Sequence, residues 1–197
     1  MTSQEVPLAT IKSVAVYCGS RLGHQKGYQA LARDVGRHIG EQGLRLVYGG
    51  ASVGLMGSVA DGALHSGAEV IGVLPEVLKD KEFAHKGLTQ LLEVRDMHER
   101  KSKMSALSDA FIALPGGIGT LEELFEMLTW HYLKIHQKPC ILLNFDGYYD
   151  GLLSFLKHSL NEGFSAPMPQ LWVSDQLDDV FAALATGDAP AAMKPLA

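Results

Sequence analysis

The chain has 197 residues, 47% of them hydrophobic and 20% charged, with a formal net charge of −5 at pH 7. That length suits one well-buried domain, and the acidic balance argues against the basic face that non-specific nucleic-acid binding needs. The opening MTSQEVPLATIKS carries no apolar stretch behind a basic start, and no apolar run approaches the ~18 residues of a membrane span, so a cytoplasmic protein with no membrane partner is expected.

In chain order, the β-rich run Ser13–Cys18 predicts a first strand, followed by the loop CGSR (18–21). A helical period over about 25–40 leads to a second strand, Leu44–Tyr48, and to YGGASVGLMG (48–57), which opens a helix over 54–66. Strands at Glu69–Leu74 and Leu91–Val94 come next, then a helix over 98–108, the strand Ala110–Leu114 and the loop PGGIGT (115–120). A helix over 120–135, a strand at Cys140–Asn144, a helix over 148–162, a short strand at Leu171–Val173 and a helix over 176–185 complete the alternation. Repeating βα order with strands apolar enough to be covered on both faces predicts a parallel α/β sheet. A Rossmann-like, doubly wound sheet of about six or seven strands with right-handed crossovers is expected. No internal repeat or linker divides it, so a single nucleotide-binding domain is expected over 1–197, with an ordered core of about 12–186. The Pro/Ala-rich tail TGDAPAAMKPLA is expected to fray.

Cys18 and Cys140 sit in or beside apolar runs and read as buried core thiols. Eight histidines without ligand spacing, and no CxxC pair, give no metal site. The three glycine loops, by contrast, follow three strands and therefore fall on one edge of a parallel sheet, where ligands bind near a topological switch point. One such loop merely turns the chain; three together predict a phosphate or nucleotide crevice. Neither GxxxxGK[ST] nor GxGxxG is present, so nothing specifies a triphosphate or a dinucleotide.

Within LPGGIGTLEEL (114–124), Thr120 to Glu123 has the spacing of a capping box. The apolar positions Leu121, Leu124, Phe125 and Leu128 form a core stripe that leaves Glu123 facing away, with Glu122 and Glu126 on its flank. The helix dipole and spare amides there favour an ionised carboxylate, which suits a base or cation stabiliser better than a general acid. A ligand with two ends fits this pairing of glycines and acids. Its anion takes the Gly116–Thr120 amides, and a carbon that becomes positive during reaction lies beside Glu123. A 5′-phosphorylated ribose offers both, since its anomeric carbon turns oxocarbenium-like when the glycosidic bond breaks. DMHERKSKM (96–104) reads either as a solvated helix face or, through Arg100 and Lys101, as a grip on phosphate or on a departing purine.

PGGIGTLEE (115–123), preceded by MHERK (97–101), resembles the signature of the Lonely Guy family of cytokinin-activating nucleoside 5′-monophosphate phosphoribohydrolases. VYCGS, LVYGGASVGLMG, EVIGVLP, DAFIALPGG and NFDGYYDGLL are similar to that family's segments in the same order, over roughly residues 12–165. The resemblance implies hydrolysis of N6-prenylated AMP, or of AMP, to free base and ribose 5-phosphate, with no cofactor and usually as a homodimer. It implies catalysis by Arg100 and Glu123. The substrate contacts it implies are Glu82, Arg100, Lys101, Gly116, Gly117, Ile118, Gly119, Thr120, Leu121, Glu122, Glu123 and Thr129. An older family label, lysine decarboxylase, finds no pyridoxal-phosphate signature in this short chain. Two other readings are a module of the same fold that binds a nucleotide without cleaving it, and a hydrolase of another phosphoribosyl compound.

Overall fold

The computed structural model describes residues 11–78, 83–187 and 193–196. The first half runs β1 (Ser13–Tyr17), α1 (Lys26–Glu41), β2 (Arg45–Tyr48), α2 (Gly54–His65), β3 (Val70–Pro75) and β4 (Gln90–Val94). The second half runs α3 (Met97–Ala106), β5 (Ala110–Ala113), α4 (Ile118–Tyr132), β6 (Cys140–Leu143), α5 (Asp150–Asn161), β7 (Met168–Ser174), α6 (Leu177–Thr186) and β8 (Lys194–Leu196). The eight strands form one sheet in the order β4-β3-β2-β1-β5-β6-β7-β8. The first seven pair in parallel, as the βα alternation predicts.

Side chains alternate across each strand, and helices cover both faces. Val14, Val16, Leu46, Tyr48, Ile112 and Ile141 share a core with residues of α1, α2 and α6. Ala15, Tyr17, Val47, Phe111, Ala113 and Leu142 share the other with residues of α3, α4 and α5. Burial on both sides is why these strands carry continuous apolar runs rather than alternating ones.

The chain leaves β1 outward through β2, β3 and β4, then crosses back to pair β5 with the opposite edge of β1. The switch point therefore lies between β1 and β5. CGSR and PGGIGT, the loops that leave those two strands, face each other there: the Gly19 amide donates to the Pro115 carbonyl at 3.1 Å. The third glycine loop joins through α2, whose Leu55 amide donates to the Gly19 carbonyl at 3.0 Å. Gly54 has a φ of +62°, and a Cβ at that position would run into the backbone of Ser20. Only glycine lets α2 begin this close to the CGSR loop.

Helices α1 and α2 approach through glycine as well. A Cβ on Gly36 would strike the Val59 carbonyl, and one on Gly62 the Arg33 carbonyl. Helix propensity by itself favours alanine over glycine by ~1 kcal/mol; overpacking costs ~1–3 kcal/mol. The contact here is with backbone, which cannot swing aside. Gly36→Ala is therefore expected to lower the urea midpoint at unchanged slope, and a raised midpoint would show that the helices separate freely.

Of the tail 186–197, for which fraying is the expectation, residues 188–192 and 197 lie outside the described residues, while 194–196 form β8, antiparallel to β7. An uncovered β7 would present a row of unpaired amides and carbonyls. Pro195 is tolerated there because an edge strand needs hydrogen bonds on one side only.

At the C-terminal end of α4, His131 and His136 meet edge to face, 5.8 Å apart, with His136 also 5.3 Å from the Phe111 ring. Burial, then the neighbouring charges of His131 and Lys138, push His136 down from 6.5 to about 4. The unfolded chain takes up this proton near pH 6.5, whereas the folded one resists it until about pH 4. The contribution to stability is thus fully present above pH 6.5 and is lost as pH falls toward 4. Melting temperature should decline through that window, and the slope should flatten in His136→Asn. An equal slope in both proteins would rule His136 out as the cause.

Candidate active site

The switch point opens into a cleft of about 520 Å³. Its floor and walls come from Cys18 to Gly23, Leu55 and Met56 at the start of α2, Met97 and Arg100 of α3, Pro115 to Thr120, and the acids Glu122 and Glu123. Tyr28, Leu78 and Tyr148 complete it.

Helix α4 begins at Ile118, two residues before the predicted start, with Gly117 as its N-cap. The expected capping box does not form. Thr120 lies inside the first turn, 4% exposed, tucked against Gly116, where a Cβ would run into its side chain. A glycine N-cap has no side chain of its own to satisfy the first-turn amides. Those amides, at the positive end of a 15-residue helix dipole, form a ready anion site. Glu123 therefore sits in the second turn, beyond the N3 position from which a capping box reaches back. The buried stripe is Thr120, Leu124, Met127 and Leu128, rotated from the predicted one.

Helix α3 is capped by Asp96, whose carboxylate accepts the Glu99 amide at 2.8 Å. This fixes Arg100 and Lys101 just beyond the first turn. Arg100 is 4% exposed and lies over Gly49, where a Cβ would collide with its guanidinium. One Nη stands 3.9 Å from the Met97 sulfur. A nearly buried arginine, permanently charged, thus lines the same cleft as the first turn of α4.

Lys101 serves differently from its neighbour. Its ammonium, buried between α3 and α4, pairs with Glu122 and, at 3.1 Å, with Glu126. Burial would lower its pKa, but the hydrogen bonds to Glu122 and Glu126 more than offset that and hold it above the ordinary lysine value. It ties the helix bearing Arg100 to the helix bearing Glu123. The described cleft wall does not include Lys101, Leu121 or Thr129. The Thr129 hydroxyl instead donates to the Phe125 carbonyl of its own helix at 2.7 Å. Glu82 lies outside the described residues. Arg100, Gly116, Gly117, Ile118, Gly119, Thr120, Glu122 and Glu123 all meet in the cleft.

Burial first, and then the Glu123 carboxylate, raise the Tyr17 phenol well above its ordinary value, and the same two causes raise the Cys18 thiol. Both groups stay protonated, so Cys18 offers no thiolate to the cleft. Among the described residues, no three His, Cys, Asp or Glu side chains cluster to hold a metal.

Sequence reasoning missed the tyrosines. The Tyr148 hydroxyl donates to the Gly116 carbonyl at 2.7 Å and the Tyr149 hydroxyl to the Leu114 carbonyl at 2.6 Å. Tyr28 packs edge-on against Tyr148, 5.6 Å between centroids. The only signal was the recurrence of NFDGYYDGLL as a family-like segment, which gave no role to its aromatics.

Fold and cleft together define the class: a Rossmann-like α/β protein with an anion-competent cleft at its switch point. A family model described as "possible lysine decarboxylase" matches residues 56–185. The chain is 55% identical over 159 residues to the cytokinin riboside 5′-monophosphate phosphoribohydrolase of Rhodococcoides fascians, covering 80% of each chain. It is 48% identical over 157 residues to the Arabidopsis thaliana enzyme LOG7, across 80% of this chain and 72% of that one. Among solved structures, the molybdenum cofactor binding protein of Rippkaea orientalis superposes with a TM-score of 0.62 at 26% identity, over 83% and 88% of the two chains. The Moco carrier protein of Chlamydomonas reinhardtii shares the fold, with a TM-score of 0.66 at 21% identity over 88% and 94%. The chain belongs to the Lonely Guy family.

Proposed function

We propose that the protein hydrolyses the N-glycosidic bond of N6-prenylated adenosine 5′-monophosphate, and of AMP itself, releasing the free base and ribose 5-phosphate. The observation that carries this reading is the meeting of Arg100, Glu123 and the open first turn of α4 in one cleft. The relatives named phosphoribohydrolases, 45–55% identical to this chain, support it.

The 5′-phosphate rests on the amides of Gly116 to Thr120. The C1′–N9 bond breaks with its electron pair moving onto the base, where Arg100 stabilises the departing ring nitrogen. Glu123 lies beside the ribosyl cation, and water supplies hydroxide to C1′ and a proton to the base. No cofactor takes part. We place the protein in the cytoplasm as a homodimer, and the exposed Tyr132, Leu133 and Ile135 at the end of α4 suit an interface between copies.

The test is incubation of the protein with AMP and with N6-isopentenyl-AMP, followed by chromatography for free base and ribose 5-phosphate. Both products are expected in equal amounts. AMP retained on the protein with no base released would overturn the proposal in favour of a carrier, a role the shared fold of the molybdenum cofactor binding protein makes concrete. A ligand complex should show phosphate over the 116–120 amides; phosphate at Arg21 with the base on the glycines would refute the placement.

A further inference from the structure

The turn from β5 into α4 holds three successive carbonyls, and each has its own donor. Leu114 takes the Tyr149 hydroxyl at 2.6 Å, Pro115 the Gly19 amide at 3.1 Å, and Gly116 the Tyr148 hydroxyl at 2.7 Å. A carbonyl turned toward a bound anion would repel it, so where these oxygens go decides what the turn can bind.

The peptide unit makes the consequence specific. Each peptide is planar, and none among the described residues is cis, so the carbonyl of one residue and the amide of the next point in opposite directions. Holding the Pro115 carbonyl on Gly19 fixes the Gly116 N–H. Holding the Gly116 carbonyl on Tyr148 fixes the Gly117 N–H. Proline has no N–H, so the Tyr149 bond aims nothing and only anchors the strand end. Gly117 is the residue most in need of such a restraint, because it lacks a side chain and a Cβ there would meet nothing within 4 Å. Its own carbonyl accepts the Leu121 amide at 3.2 Å, which leaves the Gly116–Gly117 peptide to be held from the other end, through the Gly116 carbonyl.

Tyr148 is itself well held. Its ring packs edge-on against Tyr28 at 5.6 Å and against Tyr149 at 4.8 Å. The next amide, that of Tyr149, donates to Asn144 Oδ1 at 2.7 Å, and the same Asn144 side chain donates to Asp150 at 2.8 Å. The segment 144–150 is thus a brace built behind the glycine turn, and Tyr148 is its point of contact with the cleft.

We infer that Tyr148 is a positioning residue for the phosphate: through the Gly116 carbonyl it sets the direction of the Gly117 amide, and so selects for the phosphorylated end of the ligand. This rests on the phosphoribohydrolase reading above. The Tyr148 ring, 43% exposed, stays in place in Tyr148→Phe, so only the hydroxyl bond is removed.

The test measures ribose 5-phosphate and adenine separately, each by its affinity in calorimetry and by its inhibition of AMP cleavage, in the parent and in Tyr148→Phe. The variant should melt close to the parent. Its affinity for ribose 5-phosphate should fall about two- to tenfold, the range set by loss of one hydrogen bond, and KM for AMP should rise by a similar factor. Adenine affinity and kcat should stay near parent values. Unchanged ribose 5-phosphate affinity would overturn the inference, as would an equal loss for adenine, which would mean the hydroxyl shapes the whole cleft. A parent protein that binds no ribose 5-phosphate and releases no base from AMP would instead sink the functional reading itself, and this inference with it.

Discussion

Glu123→Gln is expected to keep the parent melting temperature while base release from AMP falls ~10²-fold or more. The substitution changes one atom and removes one charge. Because Gly117 is the N-cap of α4, Glu123 completes no capping box, and loss of a cap cannot mimic a catalytic defect here. The carboxylate lies in the cleft, close enough that its charge acts on Tyr17 and Cys18. On the proposed mechanism, a ribosyl cation beside Glu123 would lose that stabilisation when the charge goes. AMP binding should survive, since the helix amides are untouched and a nearby negative charge has been removed. A folded variant that releases adenine at close to the parent rate would end the catalytic role of Glu123.

Gly49→Ala should disable the enzyme without altering any residue proposed to touch the reacting atoms. Gly49 follows β2, and a Cβ there would collide with the Arg100 guanidinium and approach the Met56 sulfur to 3.1 Å. Arginine is flexible enough to yield, so the fold should hold. In the mechanism proposed above, its displaced charge would no longer meet the departing base, and misplacing a catalytic group by ~1 Å can cost ~10²-fold. Turnover is expected to fall by about that factor with a small change in melting temperature. The companion Arg100→Lys should fall comparably, because a compact ammonium cannot reproduce the planar fork. Parent-level activity in Gly49→Ala would show that Arg100 works from a position other than the one it holds over Gly49.

The glycines and the apolar runs made most of this fold legible. Strands buried on both faces, such as SVAVY and CILL, announce themselves by composition, and the loops after them announce the sheet edge. β8 was not legible, because KPL follows a Pro/Ala-rich stretch and its strand character comes wholly from the β7 edge it pairs with. The start of α4 was misread for a related reason. Thr120 has the chemistry of an N-cap, but the close approach of Gly116 pulls it inside the first turn instead. In the site, Arg100 and Glu123 carried motif spacing. Lys101 carried the same spacing, yet two acids across an interhelix gap claim its charge. Tyr148 reaches the glycine turn from 32 residues away, a separation at which no local periodicity leaves a trace.

The strand order has a consequence for how the molecule comes into being. β1 lies at the centre of the sheet, and the chain adds β2, β3 and β4 on one flank before any strand joins the other. During synthesis the first half can thus assemble a four-stranded layer with α1 and α2 against it, while the opposite flank of β1 stays bare. Loop closure across so long a separation is entropically slow. The cleft exists only once β5 docks on β1, since one wall leaves each strand. Catalytic competence should accordingly be among the last properties a nascent chain acquires, and a ribosome-bound half would have its hydrophobic seed in place but nowhere to hold a phosphate.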